Sequence, residues 1–79
     1  LDLTIDRERH ARIRYELSLR SLTLAEIAKR AEVSISSVSA VSLGKSRSAR
    51  IEMILAQALA TRPEVLFPER YPADNGGDA

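Results

Sequence analysis

The apolar positions of this chain recur with the period of a helix along most of its length. His10, Ile13 and Leu17 fall at i, i+3 and i+7, a narrow inward stripe that predicts a first helix over about 7–19, capped by Asp6 or Thr4. The arginines of this segment lie mostly off that stripe. Leu24, Ile27, Ala28 and Ala31 fall at i, i+3, i+4 and i+7 and predict a second helix ending near Ala31. Its start is the best marked in the chain. Thr23-Leu24-Ala25-Glu26 is a capping box, in which the Thr oxygen accepts the N3 amide and the Glu reaches back to the cap amide. Leu22 and Ile27 are placed as a hydrophobic staple.

A third helix restarts almost at once, with Ser34 as cap, Val33 and Val38 as a second staple, and Ile35, Val38 and Val41 expected to point inward. Its Ser and Val content gives it low helix propensity, and residues 39–43 alternate enough to suggest a strand. The strong helix before it and the short turn leave little room for a strand pair, so a helix is expected, closed by Gly44 in the left-handed region. Lys45-Ser46-Arg47-Ser48 is a basic loop. Ile51, Ile54, Leu55, Ala58 and Leu59 then give the cleanest amphipathic pattern, a fourth helix over about 49–60. Thr61-Arg62-Pro63-Glu64 repeats the Thr-x-x-Glu signature with an early Pro. It predicts a short fifth helix over 63–67, stopped by Pro68, with Val65, Leu66 and Phe67 packing back on the core. The expectation is an all-α, compact five-helix domain over residues 1–71, followed by a disordered tail at 72–79.

The spacing between the second and third helices carries the functional reading. Ala28 is small and inward, Val33 sits in the turn five residues on, and Val38 is inward ten residues on, followed by Val41. A helix-turn-helix needs this arrangement: a small residue for close approach, and apolar anchors that fix the crossing so that the second helix can enter a major groove. Glu32 stands at the turn position where glycine is favoured because φ is positive, at a cost on the order of 1 kcal/mol.

Charge sharpens this picture. The chain has 79 residues and a formal net charge of +1. Residues 20–50 carry Arg20, Lys29, Arg30, Lys45, Arg47 and Arg50 against only Glu26 and Glu32, whereas residues 51–79 are net acidic. A polyanion would therefore be held by the middle of the chain.

Residues 58–71, Ala-Leu-Ala-Thr-Arg-Pro-Glu-Val-Leu-Phe-Pro-Glu-Arg-Tyr, resemble the C-terminal signature of the Ner-like (Nlp) family of small phage and bacterial regulators. Leu22-Thr23-Leu24 is also similar to that family, and the likeness extends over about 7–71. The resemblance implies a lambda-repressor-like five-helix domain that binds DNA in transcriptional control. The chain departs from the family pattern at Glu32 and in a loop between the third and fourth helices about one residue longer.

The third helix offers Ser34, Ser36, Ser37, Ser39, Ala40 and Ser42 outward, and no Arg, Asn or Gln. Bidentate base reading, which gives about 1–3 kcal/mol of discrimination per pair, is missing from this face, and serine carries little sequence code. The expected DNA contacts are Ser34, Ser36, Ser37 and Ser39 in the groove. Lys29, Arg30, Lys45, Arg47, Arg50 and the amides near Thr23 are expected on phosphates. Double-stranded DNA is the expected partner, bound by a homodimer or with help from a larger protein. The alternative is a protein-interaction module that recruits RNA polymerase or another regulator through acidic residues such as Glu64 and Glu69.

No enzymatic chemistry is legible. The chain has no cysteine. His10 is the only histidine and reads as structural, so neither a metal site nor another cofactor is expected. The serines have no adjacent base to activate them. Gly76-Gly77 is no phosphate loop, and three scattered aromatics, Tyr15, Phe67 and Tyr71, make no stacking platform. No apolar run approaches the roughly 18 residues of a membrane span. Charged residues from Asp2 to Arg9 do not fit a secretory leader. A cytoplasmic, bacterial or phage-encoded, nucleoid-associated protein is expected.

Overall fold

In the computed structural model, which describes residues 6–71, the longer helices share one pattern of start and stop. The helix α1 (Arg7–Leu19) begins at Asp6, whose side chain accepts from the Arg9 amide at 2.9 Å. The helices α2 (Leu24–Ala31), α3 (Ile35–Leu43) and α4 (Ala49–Ala58) begin at Thr23, Ser34 and Ser48, each hydroxyl accepting a backbone amide at 3.2 Å. Each cap satisfies one of the amides that a helix start leaves orphaned. For α2 only this half of the predicted capping box forms among the described residues.

All four helices end in a left-handed residue: Ser21 (φ 60°), Glu32 (φ 59°), Gly44 (φ 90°) and Ala60 (φ 56°). The residue after each sends its amide back five positions, Leu22 to Leu17 at 2.8 Å, Val33 to Ala28 at 3.0 Å, Lys45 to Ala40 at 2.9 Å and Thr61 to Ala56 at 2.9 Å. These are Schellman closures. Only one uses glycine, so three L-residues adopt a conformation that their Cβ disfavours.

The closures turn the chain sharply enough to gather the helices around one core. Ile13 and Leu17 of α1, Ile27, Ala28 and Ala31 of α2, Val38 and Val41 of α3, and Ile51, Leu55 and Leu59 from the α4 region are buried together with Phe67. The helix α3 packs against α2, α1 and α4, and its C-terminal end is tied to the start of α1 by the Asp6 amide donating to the Leu43 carbonyl at 2.7 Å.

Several expectations are corrected. Ile35 does not point inward but is 52% exposed. Buried positions on α3 run through Val38, Val41 and Ser42, so Ile35 stands ahead of the core at the leading end of the helix. Ser42, expected outward, is fully buried, because α1 covers that side and His10 meets its hydroxyl. Helix α4 ends at Ala58, since the turn at Ala60 closes it early. The last α-helix, α5, spans Pro63–Leu66 and starts at Arg62, not Thr61, with no side-chain cap bond. A residue before proline is forced into an extended conformation, and Arg62 (φ −115°, ψ 151°) is that residue. Val65 is exposed, while Leu66 packs on the core and Phe67 enters it. A 3-10 turn, Pro68–Arg70, follows. Thr4 and the predicted tail at 72–79 lie outside the described residues.

Candidate nucleic-acid interface

The turn between α2 and α3 is Glu32-Val33-Ser34. Ala28 and Val38 are buried on either side of it, Val33 packs on the same core, and Glu32 takes φ 59°, ψ 45°. The elements of a helix-turn-helix are therefore all in place, with the left-handed turn residue supplied by glutamate.

What this turn presents is α3 standing between two open depressions. One, of about 710 Å³, lies between α1, the start of α2 and α3; Arg14, Tyr15, Thr23, Leu24, Ile35 and Ser39 line it. The other, of about 390 Å³, separates α3 from the following loop, with Ser36, Ser37 and Ala40 facing Ser46, Arg47 and Ser48. Each depression thus has one wall of α3, the N-terminus of a second helix and an arginine. The amides at the starts of α2 and α4 bring partial positive charge to both flanks.

The structure therefore brings Thr23 and Ser39 together on one flank and Ser36, Ser37 and Arg47 on the other. Ser34 is occupied as the hub of a hydroxyl cluster, with its Oγ 3.2 Å from Ser36 Oγ and 3.0 Å from Ser37 Oγ. Lys29, Arg30, Lys45 and Arg50 are exposed and lie outside both depressions. None of them, nor Arg47, enters a salt bridge among the described residues. Arg20, by contrast, is held by Glu16 at 2.9 Å. Sequence reasoning missed Arg14, which lies off the apolar stripe of α1 where nothing distinguishes it from Arg7 or Arg12. It also missed Ile35, whose i, i+3 spacing to Val38 suggested the core.

Behind the interface, a clasp of C-terminal residues fixes the loop that carries Arg47. Arg9 is buried. Its Nε donates to the Ser42 carbonyl at 3.1 Å, its Nη1 to both carboxylate oxygens of Glu69, and its guanidinium stands 4.6 Å from the centre of the Phe67 ring. Arg70 Nη2 donates to the Ser46 carbonyl at 2.7 Å. Its Nε lies 3.5 Å from Glu52 Oε2, an ion-pair distance without a hydrogen bond. Tyr71 donates its hydroxyl to the buried Glu52 at 2.7 Å. That bond, then burial and the negative charge of Glu52 and Glu64, raise the Tyr71 pKa against the opposing pull of Arg70. Glu69, expected on a partner-binding acidic surface, pairs with Arg9 while its side chain stays 51% exposed.

His10 Nδ1 meets the buried Ser42 hydroxyl at 2.8 Å. Burial first, and the Arg14 cation second, lower its pKa below the ordinary histidine value. Among the described residues, no cluster of His, Cys, Asp or Glu could hold a metal ion, and no helix is long and apolar enough to cross a membrane.

A family model described as winged helix-turn-helix DNA-binding matches residues 8–78. The chain belongs to the winged helix-turn-helix DNA-binding family. Comparison with curated proteins and with solved structures gives no significant match. The winged helix-turn-helix domain shown here is all-helical over the described residues, with no strand among them. Its membership makes the chain a double-stranded DNA-binding domain, from a kind of family that typically has no enzymatic activity. The matched stretch includes α2, the Glu32-Val33-Ser34 turn and α3.

Proposed function

We propose that the chain is the DNA-binding domain of a transcriptional regulator, with α3 lying in the major groove and phosphates held on both of its flanks. The observation that carries this reading is the ridge that α3 forms between two depressions, each supplied with a helix N-terminus and an arginine. A major groove about 12 Å wide has a phosphodiester backbone on each side. On one side the free amides at the start of α2, with Thr23 and Arg14, face a phosphate. On the other, Arg47, Ser48 and the start of α4 do the same. Ser36, Ser37 and Ser39 are at groove depth, and Ser34 shapes the tip of the helix. Lys29, Arg30, Lys45 and Arg50 add longer-range attraction to the backbone.

A Ner-like assignment rests on the resemblance carried by residues 58–71. Within that stretch Phe67 and Glu69 meet Arg9, Tyr71 meets Glu52, and Arg70 ties down the Ser46 carbonyl beside Arg47. A single domain of this size gains affinity by pairing, so binding is proposed as a dimer on two half-sites about 34–36 Å apart.

Selection from a random duplex pool, followed by sequencing of the bound fraction, tests the proposal. An enriched, roughly palindromic motif is expected. Absence of binding even at low salt would remove the DNA reading altogether.

A further inference from the structure

We propose that Ile35 reads thymine through its 5-methyl group, so that sequence preference comes from an apolar contact at the tip of α3 more than from the serines around it. The inference rests on the reading of α3 as the groove-entering helix and adds a chemical specificity to it.

Ile35 is the first residue of α3 and is 52% exposed, the only large apolar side chain exposed to that extent on this helix. The N-terminal residues of a recognition helix are those that reach base edges. Half an isoleucine left in water is unfavourable, and covering it would be favourable at about 25 cal/mol per Å². Its surroundings within the protein do not cover it: it forms part of the wall of the open depression shared with Thr23, Arg14 and Ser39.

The neighbouring serines are poorly placed to supply the code. Ser34 Oγ accepts the Ser37 amide and contacts the hydroxyls of both Ser36 and Ser37. These three hydroxyls satisfy one another in the first turn, and a hydroxyl can serve as donor or acceptor to several base edges. Ile35 can do neither. The one apolar group that a base pair offers in the major groove is the thymine methyl, so an isoleucine at this depth favours thymine over cytosine at one position. Isoleucine in a helix is held in one χ1 rotamer, which keeps its methyl groups in a fixed place and limits the entropy lost on contact. Thr23 and Arg14, in the same depression, would set the register by holding the adjacent phosphate.

The test uses the full chain and the duplex enriched from the pool. Each thymine is replaced in turn by deoxyuridine, which removes only the methyl group. Affinity is then measured by fluorescence anisotropy for the wild type and for Ile35→Ala. One position is expected at which deoxyuridine weakens the wild type about fourfold, the effect of one buried methyl group. Ile35→Ala should be indifferent to that change, and selection with this variant should return a motif degenerate there. Wild-type binding that is insensitive to deoxyuridine at every position would overturn the proposal, and so would an Ile35→Ala variant as sensitive as the wild type. Because deoxyuridine alters the DNA alone, the wild-type arm does not depend on the variant's stability. Failure to bind any duplex would sink the DNA reading itself, a result distinct from binding without methyl dependence.

Discussion

Arg9 and Glu69, sixty residues apart, are joined by two hydrogen bonds from Arg9 Nη1, at 3.0 and 2.8 Å. The pair closes the domain, because the same guanidinium also holds the carbonyl at Ser42 near the end of α3 and covers Phe67. The two partners are unequal. The Arg9 side chain is 9% exposed and that of Glu69 is 51% exposed. Arg9→Ala should cost about 2–4 kcal/mol, since it strips a buried carbonyl of its donor as well as breaking the pair. Glu69→Gln should cost about 1 kcal/mol or less, because that end of the pair is wet. Urea denaturation of both variants checks the ordering, and equal losses would contradict it.

The Tyr71–Glu52 hydrogen bond anchors the other half of the clasp. Tyr71→Phe should destabilise the domain by about 1–2 kcal/mol, as the buried carboxylate loses its hydroxyl donor. The raised Tyr71 pKa also makes stability fall at high pH. The contribution is complete below the ordinary tyrosine value near 10 and is lost as pH rises through the higher folded value. Thermal unfolding from pH 8 to 12 should show this fall in the wild type, reduced in Tyr71→Phe.

His10 gives a dependence at the acid end. Its folded pKa is lowered, so the unfolded chain takes up the proton first, and stability is complete above the ordinary value near 6.5. It should be lost as pH falls below that value and through the lower folded one. A His10→Gln variant should show a flatter stability profile between pH 7 and 5, and an identical profile would remove His10 as the cause.

Glu32 tests the turn. Its left-handed conformation disfavours any residue with a Cβ. Glu32→Gly should stabilise the domain by roughly 0.5–1 kcal/mol, after allowing for the entropy that glycine loses on folding. That corresponds to a rise in Tm of a few degrees, measurable by calorimetry.

Much of the fold is legible in the sequence, and the reasons are local. Thr23, Ser34 and Gly44 announce their helix ends through backbone chemistry that depends on a few neighbours, and α1 and α2 have the predicted bounds. The helix-turn-helix spacing of Ala28, Val33 and Val38 is legible for the same reason. The clasp is not, because Arg9 looks like its neighbours Arg7 and Arg12 until Glu69 and Phe67 are brought to it from the other end of the chain. Ser42 likewise reads as one more outward serine until α1 covers it. Ile35 fails for a geometric reason: periodicity gives a residue's angle around the helix, not whether the core extends as far as that end.

Affinity for duplex DNA at a series of salt concentrations, for the wild type and for Arg47→Ala, tests the central claim most directly. Log affinity of the wild type should fall linearly with log salt, and Arg47→Ala should bind more weakly with a slope shallower by about one, the loss of one phosphate contact. Unchanged affinity and slope in Arg47→Ala would contradict the placement of α3 between two phosphate-holding flanks.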